Sequence, residues 1–559
     1  MMSSNTGITG LKPVGIVLSG ATTSSIRFQL TEYGEEKLVE GMLILVEVRG
    51  GRELLLARVD RLQPINEFFR EGDAWSEIRR RGIDLPLARE VARRYVLADA
   101  TLLGRLTGRG LGDVRYPPEP GDKVYLLDVK RYAKEVFGVE PGDPGVIWYG
   151  SILGYSDAPV PLDVENITMH LGVFGETGSG KSYGVGYLIE LLSRIPVGNG
   201  IEAALPVIAV DANGDYLDYH RHFLEYNELG RYHAVWRLVF PISSVRQWPY
   251  TRTITISLDE FTSREIAEFI VTYKTGGYEL NELQVSGLER VLRELVAEEP
   301  YSYTELLTSR IDLVYNKLEE LSTGRDAPIH HQTAKAIRSA LEKFHEDIVG
   351  EYRVLSKEPT LRAEFIDEIT SKPSLVIIDF STEGAPGIPL PVKQLIIGYL
   401  ARILYKKFTE YKSRGDERYL LFIIEEVQNY APNPRNYPIS WSLARDYLAL
   451  IATQGRKFGL SLGLVSQRPA FIDPVVLSMV NTWIIHRISP EDVGYVVKAS
   501  GGLPRGLERK LTSLPRGVAV VTGQMNILGF PVLVEVGKRS VSHVMGRTRV
   551  VETLRKLYS

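Results

Sequence analysis

An α/β architecture is what this sequence predicts: a mostly parallel sheet with helices on both faces, a small β-barrel before it and a helical insertion within it. Three observations lead there. Short β-branched runs broken by turn formers fill roughly the first 150 residues. From about residue 165, apolar strands alternate with amphipathic helices, and between about 259 and 372 the strand pattern stops. A chain of 559 residues has room for about three or four structural units. We delimit them as a barrel at 1–150, the first part of the α/β core at 151–258, the helical insertion at 259–372, the second part of the core at 373–540 and a C-terminal tail at 541–559.

The barrel strands are expected at 14–18, 26–30, 42–48, 54–59, 95–100 and 123–129, with turns at Gly50-Gly51 and at the Pro-rich stretch 117–121. Several short strands at such spacing suit a small closed or half-closed barrel. The insertion near 67–94 carries Arg79-Arg80-Arg81 and Arg93-Arg94; a solvated helical face is favoured over a DNA contact. In the core, 171–174 is a short apolar strand. The segment after it places Val185, Leu188, Ile189 and Leu192 at i, i+3, i+4 and i+7, one face of a helix. Further uninterrupted apolar runs at 207–210, 375–378, 420–424 and 460–465 suit strands covered on both faces. The insertion shows four helical stripes: Ile266, Phe269, Ile270 and Tyr273; Leu288, Val291, Leu292 and Leu295; Val314, Leu318 and Leu321; Ile337, Leu341 and Phe344.

Composition excludes several function classes. With 44% hydrophobic and 24% charged residues the chain is not globally disordered. Its 66 Lys+Arg against 69 Asp+Glu give a net charge of -3, which argues against a surface coated in positive charge but not against a local basic channel. Zero Cys removes disulfides, Cys-ligated zinc, iron–sulfur clusters and thiol catalysis. Only ten Gln accompany that absence, a pairing that fits selection at high temperature. No apolar stretch follows a basic start within residues 1–13, and no run reaches about 18 apolar residues, so a soluble cytoplasmic protein is expected.

The chemistry is concentrated after the strand at 171–174. Gly175-Glu-Thr-Gly-Ser-Gly-Lys-Ser182 fits the phosphate-loop pattern GxxxxGK[ST] in full, in the required strand–loop–helix setting. Gly175, Gly178 and Gly180 let the backbone curl so that N–H groups, with Thr177 and Ser179, face phosphate; Tyr183 follows on the helix, whose N-terminal end adds positive charge. Lys181 is expected at the β- and γ-phosphates and Ser182 on Mg²⁺. ATP is favoured over GTP because no suitably placed N-K-x-D motif appears.

Such a site also needs an acidic strand end. Two compete: Asp379, and the paired Glu425-Glu426. The pair is preferred, with Glu425 on the metal side and Glu426 as general base; for Asp379 a structural cap is favoured. Gln467 would sense the γ-phosphate or orient water if its strand lies between the phosphate-loop and glutamate strands; a plain turn is the equal alternative. Of the many arginines downstream, Arg456 is the first choice for one acting across a subunit interface. The Pro- and Asn-rich stretch 429–438 interleaves Tyr430, Arg435 and Tyr437, which could stack on bases or meet phosphates of DNA.

Together these stretches resemble the HerA family within the HerA–FtsK class of ring ATPases. The loop at 175–182, Val210-Asp-Ala-Asn-Gly-Asp-Tyr216, the strand end 423–429 and the block Gly455-Arg-Lys-Phe-Gly-Leu-Ser-Leu-Gly-Leu-Val-Ser-Gln-Arg-Pro469 carry the likeness, extended by Asp473-Pro474 and Asn481-Thr482. Two stretches depart from the family: Asp211-Ala-Asn-Gly-Asp where it has D-P-H-G-E, and Gln428 where it usually has His. The resemblance implies a RecA-like core, a homohexameric ring that hydrolyses ATP with Mg²⁺ and moves along double-stranded DNA, and a NurA-type nuclease partner in end resection during double-strand-break repair. It further implies that Gly523 and Gln524 lie by the nucleotide and that 547–559 braces a neighbouring subunit. Alternatives are a protein-remodelling ring, a nucleotide-gated scaffold, or a conjugation- or segregation-type DNA pump, the last disfavoured by the lack of membrane spans.

Overall fold

The computed structural model describes residues 11–66, 69, 72, 76–82, 94–108, 110–276, 280–438, 442–542 and 554–555. Seven strands form the N-terminal unit: β1 (Gly15–Val17), β2 (Ser25–Leu30), β3 (Leu43–Val48), β4 (Glu53–Asn66), β5 (Arg94–Thr107), β6 (Gly110–Gly112) and β7 (Lys123–Leu126). Six of them close a circuit, β1-β7-β3-β4-β5-β2 and back to β1, all antiparallel, while β6 extends β5. Alternation fills the inside: β2 buries every second residue, and Phe28, Ile44, Val46, Ala57, Ala98 and Val124 share one core. β4 and β5 outrun the expected 54–59 and 95–100 because their pairing continues through Arg94–Asn66, beyond the apolar residues that mark a strand in sequence. Glu77 pairs with Arg80 and Arg81 on the short helix Ser76–Arg80, as a solvated helical face requires. Arg93 and most of the 547–559 tail lie outside the described residues.

The rest of the chain is organised by one twelve-stranded sheet. Its strands are β8 (Val146–Ile152), β9 (Pro159–Asp163), β10 (Leu171–Phe174), β13 (Val207–Asp211), β14 (Val235–Val239), β15 (Thr251–Thr253), β16 (Leu375–Asp379), β17 (Leu420–Glu425), β18 (Leu460–Ser466), β19 (Thr482–Ile485), β20 (Val518–Gly523) and β21 (Val532–Glu535). A separate hairpin holds β11 (Ile195–Gly198) and β12 (Ile201–Ala203). The order is β15-β14-β16-β13-β17-β18-β10-β19-β20-β21-β8-β9, parallel from β15 to β19 and antiparallel beyond. β8 straddles the expected boundary at 150 and pairs with β21, so the last strand before that boundary belongs to the large sheet and not to the barrel.

β13, β16, β17 and β18 are buried along their whole length, which explains their unbroken apolar sequence. One face of the sheet shares its core with the helical insertion, whose four predicted stripes are all buried. The other face shares its core with barrel residues Leu43, Leu45, Leu54 and Leu56. Among the described residues no helix is long and apolar enough to cross a membrane.

Candidate nucleotide site and the loops around it

The phosphate loop leaves β10 at Phe174 and enters the helix Lys181–Leu192. Gly178 and Gly180 adopt φ of 77° and 104°, a region open to glycine. A Cβ on Gly180 would stand 2.9 Å from the Gly517 backbone nitrogen. Three strand ends hold the loop: the Gly175 N–H donates to Ser466 O (3.2 Å), the Glu176 N–H to Arg487 O (2.8 Å), and the Gly517 N–H to Ser179 O (2.9 Å). His486 packs beneath it, since a Cβ on Gly175 would lie 2.7 Å from the His486 Cβ. Burial pushes the His486 pKa down to about 4, so the imidazole is neutral beside Lys181. A curled glycine backbone leading into the N-terminus of a twelve-residue helix, with Lys181 and Ser182 on its first turn, fits a polyphosphate.

β18 lies between β10 and β17, pairing Phe174 with Ser466 and Glu425 with Val465. That placement meets the condition set for Gln467. The Thr177 hydroxyl donates to Gln467 Oε1 (2.8 Å), and Gln467 Nε2 donates to Glu426 Oε1 (3.0 Å). Gln428 Nε2 donates to Glu426 Oε2 (2.5 Å) and is itself held by the Ser466 hydroxyl (2.8 Å). Lys181 Nζ stands 3.6 Å from Glu426 Oε1. Glu426 occupies a left-handed backbone conformation, φ 49°, a strained state for a side-chain-bearing residue that turns its carboxylate off the strand end. Gln428, a departure from the family pattern, thus serves to orient Glu426.

Glu425 points into the interior. Its oxygens accept from the Tyr216 hydroxyl (2.7 Å) and the Ala212 N–H (3.2 Å), and burial beside Asp211 and Asp215 raises its pKa. Asp211 accepts from the backbone N–H groups of Gly214, Asp215 and Tyr216 (2.7, 2.9 and 2.8 Å), folding the turn that delivers Tyr216 to Glu425. Among the described residues no three His, Asp or Glu converge as a metal cage. Asp379 is structural: Arg237 grips it through Nε and Nη2 (3.0 and 2.7 Å), and Ser381 donates to it twice.

Several expected residues do not gather here. Gly523 ends β20 and Gln524 follows it; β20 runs antiparallel to β19 and pairs Gly523 with Thr482, at the end of the sheet opposite the phosphate loop. The end of β20 that reaches the loop is its start, at Gly517. Arg456 precedes β18, a whole strand of about 20 Å from Gln467, so it takes no part in its own chain's site. Tyr183 turns to the C-terminal segment, its hydroxyl accepting from the Arg539 N–H (2.9 Å). Tyr430 is buried against Phe380 with ring centroids 6.3 Å apart, and no base could stack on it. Tyr437 is half-committed, donating to Asn429 Oδ1 (2.6 Å) and packing on Phe471; Arg435 is exposed. The 430–438 loop is tied to the loop that follows Gln467, through the Asn433 N–H to Phe471 O and the Asp473 N–H to Ala431 O, both 2.8 Å. Thr177 was expected as a phosphate neighbour, and its bond to Gln467 was not; Tyr216, Ser466 and Gly517 were not anticipated, because only the strand order brings them in.

A family model described as the central domain of helicase HerA matches residues 147–404. The DNA double-strand break repair helicase HerA of Sulfurisphaera tokodaii is 26% identical over 534 residues, covering 94% of this chain and 93% of that one. Over these residues the chain is similar to the HerA family. The HerA of Pyrococcus furiosus is 25% identical over 571 residues, with 94% and 92% covered. Among solved structures, VirB4 of Thermoanaerobacter pseudethanolicus aligns with a TM-score of 0.46 at 13% identity, covering 71% of this chain and 97% of that one. The HerA central-domain match begins at β8 and ends inside the helix Leu390–Arg414, so Glu426 and Gln467 lie beyond it and within the longer alignments to HerA relatives.

Proposed function

We propose that this chain is an ATP-driven motor that moves along double-stranded DNA as a homohexamer and works with a NurA-type nuclease in DNA end resection. The observation that carries the motor reading is Gln467, hydrogen-bonded at once to Thr177 of the phosphate loop and to Glu426. The segment that follows it is tied to the 430–438 loop, where Arg435 is exposed. The relatives' description as double-strand break repair helicases supports DNA as the track.

In this reading the phosphate-loop N–H groups and Lys181 bind the β- and γ-phosphates of ATP. Mg²⁺, bound with the nucleotide by Ser182 and by Glu425 through water, would supply charge neutralisation on the phosphates. Glu426 takes the proton of the attacking water, held in place by Gln428 and Gln467. Lys181 can exchange its contact with Glu426 for phosphate, so the base is freed of its cation when nucleotide arrives. Loss of the γ-phosphate changes what Thr177 and Gln467 face, and the Phe471 and Ala431 tethers pass that change to Arg435. Arg456 remains a candidate for the neighbouring subunit's nucleotide. The test is ATP turnover with and without duplex DNA: stimulation by DNA that disappears in Lys181→Ala supports the motor, and turnover indifferent to DNA sinks it.

A further inference from the structure

Beyond the catalytic groups, one buried polar cluster has no part in the scheme above. It sits on the phosphate-loop helix, where the chain leaves β21. The segment 536–541 crosses that helix. Its start is joined to the phosphate loop through one residue: the Val536 N–H donates to Gly517 O, and the Gly517 N–H donates to Ser179 O, each at 2.9 Å. Further on, the Arg539 N–H donates to the hydroxyl of Tyr183, which follows Lys181 and Ser182 in the first turn of the helix. Glu190 then accepts from the Ser540 N–H and hydroxyl, both at 2.7 Å, and from the Val541 N–H at 3.2 Å. The Arg539 guanidinium, 1% exposed, stands 3.7 Å from Glu190 and lies over the rings of Tyr183 and Tyr219 at 5.7 and 4.6 Å.

The fit is tight on both sides. A Cβ on Gly186 of the helix would fall 2.8 Å from the guanidinium carbon, and one on Gly537 would fall 2.3 Å from the Tyr187 ring. Burying an Arg–Glu pair is a poor route to stability, because desolvation offsets most of the attraction. What such a pair supplies is direction: a buried guanidinium 3.7 Å from one carboxylate and over two rings has one place to sit, where apolar contacts would tolerate sliding.

We propose that the segment 536–541 is a latch that sets the position of the phosphate loop, with Arg539 and Glu190 as its positioning residues, so that nucleotide affinity depends on the chain leading to the C-terminus. The proposal rests on the reading that the 175–182 loop takes nucleotide. The latch grips the loop at Ser179, through Gly517, and the helix at Tyr183 and Glu190, on either side of Lys181 and Ser182. Anything that draws the segment 536–541 away from the helix loosens both grips together.

The test uses the full chain with a fluorescent ATP analogue and steady-state turnover. Arg539→Lys, Arg539→Met and Glu190→Gln are compared with Leu341→Ala, which empties a buried site in the helical insertion and lowers stability far from the loop. The latch predicts that Arg539→Met and Glu190→Gln raise the analogue's Kd and the KM for ATP about ten-fold while kcat at saturation stays within about three-fold, a split that follows if affinity alone is set here. Arg539→Lys, keeping charge without the fork, falls between. Leu341→Ala leaves both constants unchanged despite its lower melting temperature. An unaltered Kd and KM in folded Arg539→Met and Glu190→Gln overturns the latch and leaves the nucleotide reading standing. A wild-type chain that binds no analogue overturns both.

Discussion

Replacing Gln467 by alanine removes two hydrogen bonds and little else. One partner, Thr177, is exposed and regains its bond from water; the other, Glu426, keeps Gln428 Nε2 at 2.5 Å and the Lys181 ammonium at 3.6 Å. The loss of stability should therefore stay below about 1 kcal/mol. The catalytic loss is larger, because the bond at 3.0 Å to a carboxylate holds the proposed base in place. Hydrogen bonds to charged groups are worth roughly 1.5–3 kcal/mol, which converts to about a 10- to 150-fold fall in kcat if the whole bond is used at the transition state. KM should hardly move, since the phosphate loop keeps all three backbone anchors. Thr177→Val removes only the neutral bond, worth about 0.5–1.5 kcal/mol, and should cost about 2- to 13-fold. The assay is steady-state ATP turnover with kcat and KM resolved, with thermal unfolding as the check on folding. A Gln467→Ala enzyme with wild-type kcat, or a loss expressed mainly in KM, would refute the assignment of Gln467 as the link between loop and base.

Other outcomes follow from the same geometry. Gly180→Ala forces a side chain into φ 104° and against the Gly517 nitrogen, so nucleotide binding should weaken with a stability cost of about 1–3 kcal/mol, read by analogue titration and melting. Arg435→Ala should lower duplex affinity and flatten its salt dependence by about one unit of slope, while Tyr430→Phe, altering a buried ring, leaves both unchanged in a binding titration across salt. His170 is buried with its ring nitrogens engaged by Ala452 O and the Leu462 N–H, and burial lowers its pKa to about 4. A depressed folded-state pKa means that stability is fully present above about pH 6.5 and is lost as pH falls towards 4. The melting advantage of wild type over His170→Gln should accordingly shrink between pH 7 and pH 5, by about 2 kcal/mol; an advantage constant over that range would contradict the assignment.

Sequence carried some of this further than the rest, for physical reasons. The phosphate loop and its strand–loop–helix setting are local, so glycine spacing and a helical stripe were enough to place Lys181 and Ser182. The fully buried strands were legible because burial on both faces leaves an unbroken apolar signature. Gln467 stayed conditional, since its role depends on β18 lying beside β10, a non-local pairing between segments almost 300 residues apart. Gly523 and Gln524 were placed at the wrong end of the sheet because the reversal of β20 is a property of topology and leaves no mark on the residues themselves. In the 430–438 loop, composition announced a turn-rich segment, but which aromatic turned inward was decided by Phe380, a residue from another strand end. Arg539 was invisible for the same reason: a charged residue near the chain end reads as solvated until Glu190 and two tyrosines are brought around it.

Directed movement is the central claim, and displacement of a third strand from a DNA triplex tests it most directly. The wild-type chain, in a preparation of known oligomeric state and assayed with and without a NurA-type nuclease, should displace the strand only with hydrolysable ATP. Glu426→Gln should bind ATP, turn it over about 10²- to 10⁴-fold more slowly and displace nothing on the same time scale. Rapid ATP turnover that is stimulated by duplex yet displaces no strand, or displacement by Glu426→Gln at the wild-type rate, would contradict the account.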